Sequence, residues 1–367
     1  MKNKKILLYI PSLNKGGAER NFVYLANFLA EQGYITTLCK VESGGDYLPL
    51  LSSKVTVITL SEENGGTLRN IVKYIRLLRH LNPSAIISTL PHANVISIFV
   101  KFLFSRKSKL ILREANTPSA EVCKSLKDKL IFWLSKQLYR YADYVVGVSQ
   151  GVSKDVIQTF RVNDNKVITI QNGIDVDKCL EIAHTSSHSF IFEKNVKYIL
   201  SVGRLSIQKN VALLLSSLVN LDANFHLIIL GDGPEKGNIQ NLVEKYHLQD
   251  RVTLLGFVDN PFYFMQVCDL YILSSDYEGL PGALLQASCF DIDIVSTNCP
   301  SGPDEILNHG EYGSLVKINS SEELKAEVYK RLSNPSSKDY FERRRSYIRK
   351  TFSTRRSGIG YIELIEK

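Results

Sequence analysis

The chain has 367 residues, of which 44% are hydrophobic and 22% charged, and its formal net charge is +8. It contains no run of about 18 uncharged apolar residues and no recognisable secretory leader, which argues against a membrane-spanning or exported protein and favours a cytoplasmic one. Its six cysteines show no metal-ligand or disulfide spacing, so we expect reduced thiols, mostly buried.

Positive charge is concentrated in the first half of the chain. Residues 1–180 hold 25 Lys and Arg against 14 Asp and Glu, whereas residues 181–367 hold 20 against 23. Most of the excess lies in residues 69–140, with 14 basic and 3 acidic residues. Such a concentration fits a nucleic acid, an anionic membrane or a phosphorylated substrate as partner.

Short β-branched runs alternate with helical patterns along the whole chain. The first half contains the predicted strands KKILLYIP, YITTLCKV, SAIISTL, SKLILRE and DYVVGVS. The second half repeats the scheme with KYILSVGRL, FHLIILGDG, RVTLLGFV, LYILSS and DIVSTN. This alternation predicts an α/β protein with two doubly wound parallel sheets. We expect domains at 1–185 and 186–350, joined through the polar HTSSHSFIFEKN, and a C-terminal helix within 351–367 that packs back on the first domain.

The first strand ends in a turn with paired glycines, Gly16 and Gly17, which opens a helix. Glycines let the backbone approach a phosphate closely, and the start of a helix offers N–H donors to it. A glycine pair in this position is equally common as a simple tight turn. The motif therefore becomes informative only together with others.

Three strand ends of the second half carry residues suited to a nucleotide. Arg204 and Lys209 follow the first of these strands, and two cations at this spacing are able to converge on a diphosphate, although solvated surface cations are the commoner case. Gly231 ends the next strand, and the backbone around Phe257 and Val258 after the third strand offers hydrogen bonds to a nucleobase edge. Because carboxyl ends of parallel strands share one edge of a sheet, we expect these turns to lie together.

The segment EGLPGALLQ, residues 278–286, follows the strand LYILSS. The carboxylate of Glu278 is suited to accept hydrogen bonds from sugar hydroxyls. The backbone of Gly279, Leu280, Pro281 and Gly282 precedes a helix and is suited to bind hydroxyl or anionic oxygens. Gln286 lies in that helix and is expected to project back toward the turn.

Taken in order, GGAER, QNGID, VGRLSIQKN, GDGP, GFV and EGLPGALLQ resemble the motifs of the group 1 glycosyltransferases, a large retaining family with the two-Rossmann-domain GT-B architecture, in which two domains face across a cleft. The resemblance implies that Arg204 and Lys209 hold the donor diphosphate, that Gly17 approaches it from the opposite domain, and that Glu278 binds the donor sugar. In the family, a second carboxylate of this motif binds the ribose. In this sequence Gln286 occupies the position of that carboxylate. CPSGPDEIL, residues 299–307, further resembles enzymes that extend undecaprenyl-diphosphate-linked glycans with UDP-hexose or UDP-N-acetylhexosamine donors.

The first domain departs from the family pattern. Many relatives place a histidine after the strand that corresponds to LILREANTP, where Ala115 stands here. Arg113, Glu114 and Asn116 are therefore candidates for orienting the acceptor, and Glu114 and His92 are candidates for the chemistry. His92 follows the strand SAIISTL, and a lone histidine is more often structural than catalytic.

The resemblance implies front-face retaining transfer without a bound metal or a resident cofactor, with Arg204 and Lys209 stabilising the leaving diphosphate. Asp291 and Asp293 have the DxD spacing of a metal site but lie between a helix and a strand, so we expect them at the surface. The basic region 69–140 is expected to dock on the anionic inner face of the cytoplasmic membrane, near a lipid-linked acceptor. Two alternatives stay open: a catalytically silent GT-B partner subunit and, as the rival class, a basic nucleic-acid-binding protein.

Overall fold

The computed structural model describes residues 4–14, 16–61, 66–104, 107–121, 125–185, 188–221 and 223–367. Lys15, Cys123 and Lys124, which belong to segments named above, lie outside the described residues. The chain divides into two compact units, Met1–Gly173 with Thr354–Lys367, and Ile174–Ser353.

Each unit contains a parallel sheet. In the described part of the first unit the strands are β1 Lys5–Ile10, β2 Ile35–Lys40, β3 Thr56–Thr59, β4 Ala85–Thr89, β5 Lys109–Glu114, β6 Tyr144–Gly147 and β7 Val167–Thr169. In the described part of the second unit they are β8 Lys197–Val202, β9 Phe225–Leu230, β10 Val252–Gly256, β11 Leu270–Leu273, β12 Asp293–Thr297 and β13 Ser314–Val316. The spatial orders are β3-β2-β1-β4-β5-β6-β7 and β10-β9-β8-β11-β12-β13. The α/β class with two doubly wound parallel sheets is thereby confirmed.

Most helices of the described residues lie between successive strands, and the last three follow β13. The helices are α1 Gly17–Glu31, α2 Thr67–Leu81, α3 Pro91–Phe104, α4 Leu126–Leu138, α5 Gln150–Phe160, α6 Val176–His184, α7 Val211–Leu218, α8 Lys236–Lys245, α9 Phe262–Val267, α10 Gly282–Ala287, α11 Pro303–Ile306, α12 Ser321–Ser333, α13 Lys338–Thr351 and α14 Thr354–Glu366. Within the described residues, no helix combines the length and the hydropathy needed to cross a bilayer.

Apolar side chains on the central strands build one core in each unit. Leu8 pairs in register with Leu38 on one side and with Ile87 on the other, and all three are fully buried. In the second unit Ile199, Leu227 and Ile272 occupy the equivalent central strands and are likewise buried. Strands covered on both faces read as nearly continuous apolar runs, which explains why these strands were predictable.

The units differ at their borders from the division expected from the sequence. Helix α6 belongs to the second unit, because it packs against α9 and α13 there, whereas the sequence division placed it in the first. Helix α14 belongs to the first unit, where Gly358 lies directly against the ring of Phe28 on α1. A side chain at position 358 would overlap that ring, so the close packing of α14 on α1 requires glycine.

Candidate functional site

Hydrogen bonds join the turns after β8 and β11 at the carboxyl edge of the second sheet. The carbonyl of Gln208 accepts a hydrogen bond from the amide of Asp276 at 2.9 Å, and the Gln208 side-chain amide donates to the Tyr277 carbonyl at 2.8 Å. Asn210 Nδ2 donates to Asp276 Oδ1 at 2.7 Å. Side chains about 70 positions apart in the sequence are thus held in a fixed relation.

These hydrogen bonds between the two turns bring Lys209 and Glu278 into contact. Lys209 Nζ lies 2.5 Å from Glu278 Oε1, and Ser275 Oγ donates to the same oxygen at 2.6 Å. The side chains of the ion pair are 21% and 7% exposed, respectively, so the pair lies largely out of water. Thr297, at the end of β12, donates from Oγ1 to the Ser275 carbonyl at 2.6 Å and so supports the hydroxyl that orients the carboxylate.

Arg204 has a different environment. Its side chain is exposed, and it makes no hydrogen bond or ion pair with any residue that the structure describes. Gly203, Arg204, Lys209 and Ser274 line one small cavity at this edge. Because the charge of Lys209 is matched by Glu278, the guanidinium of Arg204 leaves the three side chains with an unbalanced positive charge, which suits an anionic ligand.

Glycine is required where the ends of β8, β9 and β10 meet. Gly231 has a φ of +146°, and its amide donates to the Gly256 carbonyl at 2.7 Å. A side chain at position 231 would overlap the carbonyl oxygen of Gly203. Phe257 follows Gly256 at the same edge and is 45% exposed, while Val258 is partly buried. The predicted nucleotide residues of this half thus share one sheet edge.

The turn after β11 is covered on one side and open on the other. Gly279, Leu280 and Pro281 are buried, whereas Gly282 is exposed, with open space where a side chain would be. Gln286 on α10 is half-buried, and its side chain makes no hydrogen bond to the described residues. The open side therefore presents the Gly282 backbone.

The loop after β12 also lies at this edge; the sequence marks it only through the segment CPSGPDEIL, and none of its residues is predicted to be part of the site. Gly302 has a φ of +95° and packs against Gly279 and Pro281. Cys299 is 2% exposed, and burial together with the nearby Glu278 carboxylate raises the pKa of its thiol to about 12. A glycine between serine and proline just beyond a predicted strand is the signal that marks this loop.

The glycine turn of the first unit lies at the carboxyl end of β1. Gly16 has extended backbone and precedes α1, which begins at Gly17. Gly17 is exposed, with open space where a side chain would be, whereas a side chain at position 16 would overlap the carboxylate of Glu19. The turn is therefore accessible at Gly17.

Arg113 and Glu114 are buried, contrary to the expectation that they face an acceptor. Arg113 is 2% exposed and donates to Thr89 Oγ1 at 3.0 Å and to Asn172 Oδ1 at 2.6 Å. Both residues are still part of β5, a strand covered by helices, so they alternate between its two buried faces. Their side chains act inside the unit.

The side chain of Glu114 is buried beside the inner face of α3. Its carboxylate accepts hydrogen bonds from Asn94 Nδ2 at 3.0 Å and from the Tyr139 hydroxyl. Burial raises the pKa of Glu114 to about 8, and the hydrogen bonds oppose that shift only in part. The carboxyl group thus supports Asn94 and Tyr139, and in this arrangement no acceptor sugar reaches it.

His92 and Asn116 are nearer to the surface. His92 is exposed at the start of α3, after Leu90, whose φ of +78° is strained for a leucine. Partial burial and the nearby Lys127 ammonium lower the pKa of His92. Asn116 is half-buried near the Glu121 carboxyl, whose pKa is raised by burial and lowered in part by the Asn116 side chain. Of the predicted acceptor and catalytic residues of this unit, His92 is the accessible one.

The two aspartates with DxD spacing have partners within the protein. Asp291 pairs with Arg345, and Asp293, 3% exposed, accepts from the amide and the hydroxyl of Ser336 at 2.9 and 2.6 Å. Asp293 therefore lies in the interior rather than at the surface, as the first residue of β12. No group of three or more His, Cys, Asp or Glu side chains in the described part of the chain is arranged to share a metal ion.

Comparisons with known proteins show which family the chain resembles. The family model described as glycosyl transferases group 1 matches residues 185–351, and the model described as glycosyltransferase family 4 matches residues 15–178. An uncharacterized glycosyltransferase of Methanocaldococcus jannaschii is 31% identical over 279 residues, which are 70% of this chain and 68% of the relative.

A Campylobacter jejuni relative is 27% identical over 329 residues, 88% of each chain; it is the N-acetylgalactosamine-N,N'-diacetylbacillosaminyl-diphospho-undecaprenol 4-alpha-N-acetylgalactosaminyltransferase. The crystal structure of Anabaena HepE in complex with UDP and glucose superposes with a TM-score of 0.83 at 19% identity, over 99% of this chain and 100% of that one. The fold is thus the two-domain GT-B fold of glycosyltransferases. On its sequence matches, the chain belongs to the group 1 glycosyltransferases of the family 4 type.

Proposed function

We propose that the protein is a retaining transferase that moves a hexose or an N-acetylhexosamine from a UDP-sugar to a polyprenyl-diphosphate-linked glycan in bacterial surface polysaccharide synthesis. The Lys209–Glu278 contact, oriented by Ser275 and placed beside the exposed Arg204, is the observation that carries this proposal. The C. jejuni relative is named for an undecaprenyl-diphosphate-linked acceptor, and HepE was crystallised with UDP.

In the proposed donor site, Arg204 and Lys209 bind the diphosphate. Arg204 supplies a bidentate fork, and Lys209 supplies a point charge that Glu278 holds in place. Glu278 and the Gly279–Gly282 backbone bind hydroxyls of the sugar. Gln286 accepts from a ribose hydroxyl, and the backbone at Phe257 and Val258 binds the base. Within the first unit, the accessible Gly17 turn at the start of α1 is separately suited to bind an anion through its amides.

The proposed chemistry is attack from the face on which the leaving group departs. The acceptor hydroxyl oxygen bonds to the anomeric carbon as the bond from that carbon to the diphosphate oxygen breaks. The acceptor proton passes to the departing phosphate oxygen, so UDP leaves with the bonding electron pair. Arg204 and Lys209 stabilise the negative charge that develops on the diphosphate, where fixed cations lower the barrier most. Because these side chains supply that charge, we expect turnover to persist in EDTA.

The test is a panel of UDP-hexoses and UDP-N-acetylhexosamines with a short polyprenyl-diphosphate-linked glycan, read out as UDP release and as product by mass spectrometry. We expect one donor to stand out and its α-linkage to be retained in the product, as read from the anomeric proton coupling. Absence of turnover with every donor would instead favour a silent partner subunit, and an inverted anomer would contradict retention.

The acceptor side of the proposal is supported by an exposed apolar face of the first unit. On α4, Leu126, Leu130 and Trp133 are 85%, 55% and 56% exposed and recur at helical spacing. Helix α3 packs beside α4 and exposes Phe102 and Leu103. We call these five side chains the α3–α4 apolar face.

The charge around this face supports an anionic membrane as its partner. Lys127, Lys129 and Lys136 lie on α4 among its apolar side chains, within the basic region 69–140. Apolar side chains flanked by lysines suit an anionic lipid leaflet, where each cation near the surface contributes about 1 kcal/mol. We therefore propose peripheral docking on the inner face of the cytoplasmic membrane, where a polyprenyl-linked acceptor is presented.

Sedimentation with liposomes tests the docking. The double variant L126A/W133A should bind vesicles containing 30% anionic lipid about 10-fold more weakly than wild type, because two exposed apolar side chains are removed. Leu68 on α2 is 76% exposed, so L68A is a matched control that should bind normally. Equal binding by all three proteins, or equal binding to neutral and anionic vesicles, would contradict the proposal.

A further inference from the structure

Gly302, in the loop after β12, is in direct contact with the turn proposed to bind the donor sugar. We propose that Gly302 is a positioning residue of the transferase: the absence of a side chain there lets the loop lie against the Gly279–Pro281 backbone and fix its place. This inference rests on the proposed donor role of that turn and adds a residue that does not itself touch the donor.

The contact leaves no room for a side chain. A Cβ at position 302 would lie 2.5 Å from Pro281 Cδ, 2.9 Å from the Gly279 carbonyl oxygen and 3.0 Å from Leu280 Cα. Two of these atoms are backbone and the third belongs to a rigid ring, so no rotation of a side chain relieves the overlap. The turn itself has to move, or the loop has to withdraw from it.

The same loop also reaches the acidic end of the turn. The buried Cys299 thiol lies close enough to Glu278 and Lys209 for both charges to act on it. Two residues before Cys299, at the end of β12, Thr297 Oγ1 donates to the carbonyl of Ser275, whose hydroxyl orients Glu278. The end of β12 and the loop after it therefore support both Glu278 and the backbone that follows it, which are the two groups proposed to bind the sugar.

The groups proposed for the diphosphate and the base lie elsewhere on the edge, whereas Gln286, proposed for the ribose, lies on α10. Arg204 and Lys209 follow β8, and Phe257 follows β10, at positions that Gly302 does not touch. Displacement of the Gly279–Pro281 backbone should therefore weaken recognition of the sugar while UDP still binds. Displacements of about 1 Å at a site of this kind reduce rates by about 100-fold.

Gly310 provides a matched control for the backbone strain. Its φ of +92° is nearly that of Gly302, so alanine is strained to a similar degree at either position. A Cβ at position 310 would lie 3.8 Å from the Gly313 carbonyl oxygen and 4.0 Å from Leu315 Cδ1, which is ordinary contact. The two substitutions therefore share the strain and differ in the overlap with the turn.

The experiment compares wild type, G302A and G310A by titration calorimetry with UDP and with the preferred UDP-sugar, and by steady-state kinetics. We expect G302A to bind UDP within twofold of wild type, to lose the additional affinity for the UDP-sugar, and to fall about 100-fold in kcat/KM. We expect G310A to keep both affinities and its kcat/KM within twofold of wild type. Its melting temperature should be lowered, because alanine is strained at this positive φ.

Three results would overturn the inference. G302A and G310A could show the same kcat/KM, which would reduce Gly302 to a strained glycine. The affinity of G302A for UDP and its affinity for the UDP-sugar could fall to the same extent, which would indicate general damage to the second unit. Wild type could bind UDP but no UDP-sugar, which would overturn the proposed function as well; if wild type binds a UDP-sugar and the variants do not differ, only the role of Gly302 fails.

Hydrogen–deuterium exchange on wild type tests the same claim if G302A fails to fold. UDP-sugar should slow exchange in peptides that contain the amides of Ser301 and Gly302 more than UDP alone does. The reason is that the sugar orders the Gly279–Pro281 turn and, through the contact with Gly302, the loop after β12. Equal protection by UDP and by UDP-sugar would overturn the inference.

Discussion

Substitution of Glu278 by glutamine separates the charge of this side chain from its shape. In the structure Glu278 Oε1 accepts from Lys209 Nζ at 2.5 Å and from Ser275 Oγ at 2.6 Å, and the carboxylate is 7% exposed. A glutamine oxygen is able to accept the same two hydrogen bonds, but without the charge. Hydrogen bonds to charged groups contribute about 1.5–3 kcal/mol and neutral ones about 0.5–1.5 kcal/mol, so E278Q should lose about 1–2 kcal/mol of stability.

The effect on activity should be about as large as the effect on stability. Replacement of a charged hydrogen bond to a sugar hydroxyl by a neutral one costs about 1–2 kcal/mol, which corresponds to about a 5- to 30-fold fall in kcat/KM for the donor. The change in stability should lower the melting temperature by only about 2–8 °C for a unit of this size. The measurements are UDP release at varied donor concentration and a thermal melt of the same preparation.

Glu235 serves as the matched control for E278Q. It lies in the same unit at the start of α8, where its carboxylate accepts from the side chain of Asn238 at 2.9 Å. E235Q should keep its kcat/KM within twofold. If E278Q retained the wild-type kcat/KM, or if E235Q lost as much, the assignment of Glu278 to the donor sugar would be wrong.

Three further predictions concern other parts of the site and the fold. R204A should raise the KM for the donor about 10-fold or more and leave the melting temperature unchanged, because Arg204 is exposed and without a partner among the described residues; donor titration checks the KM and a thermal melt checks the stability. G231A should be strongly destabilised, since its Cβ would overlap the Gly203 carbonyl, whereas G237A, with open space on α8, should melt at or slightly above wild type. Burial raises the pKa of Glu114 to about 8, so the folded state holds a proton that the unfolded state releases above its ordinary pKa of 4.5. Wild type should therefore lose stability relative to E114Q as pH rises from 5 to 8, as urea unfolding at several pH values would show; a constant difference between the two proteins would contradict this.

The central strands and the edge strand β10 were predictable from the sequence, whereas the edge strands β3, β7 and β13 were not. Strands such as β1 and β9 are covered on both faces and read as apolar runs, whereas β3, β7 and β13 have only three or four residues each. The runs TVIT, VIT and SLV are too short to stand out from a loop. Pairing with a neighbouring strand creates them, and that contact is not a local property of the sequence.

The positions of the site residues along the chain were predictable, but their contacts were not. Strand ends indicated Arg204, Lys209 and Glu278, because parallel strands share a carboxyl edge. The Lys209–Glu278 ion pair joins residues from two turns 69 positions apart, which only the folded sheet brings together. For Glu114 the opposite holds. A charged residue near the end of a strand is expected to be exposed, but the helices around β5 cover Glu114.

Binding of the donor by the cations at the second sheet's edge is tested most directly by titration calorimetry of UDP into wild type, K209M and K236M. Lys236 is a lysine of the same unit with a surface ion pair to Asp232 at 3.3 Å, so K236M controls for the loss of one charge. We predict that K209M binds UDP about 10- to 100-fold more weakly than wild type and that K236M binds it equally well. Equal affinity of K209M and wild type, or no binding of UDP by wild type, would contradict the assignment of this edge to the nucleotide-sugar donor.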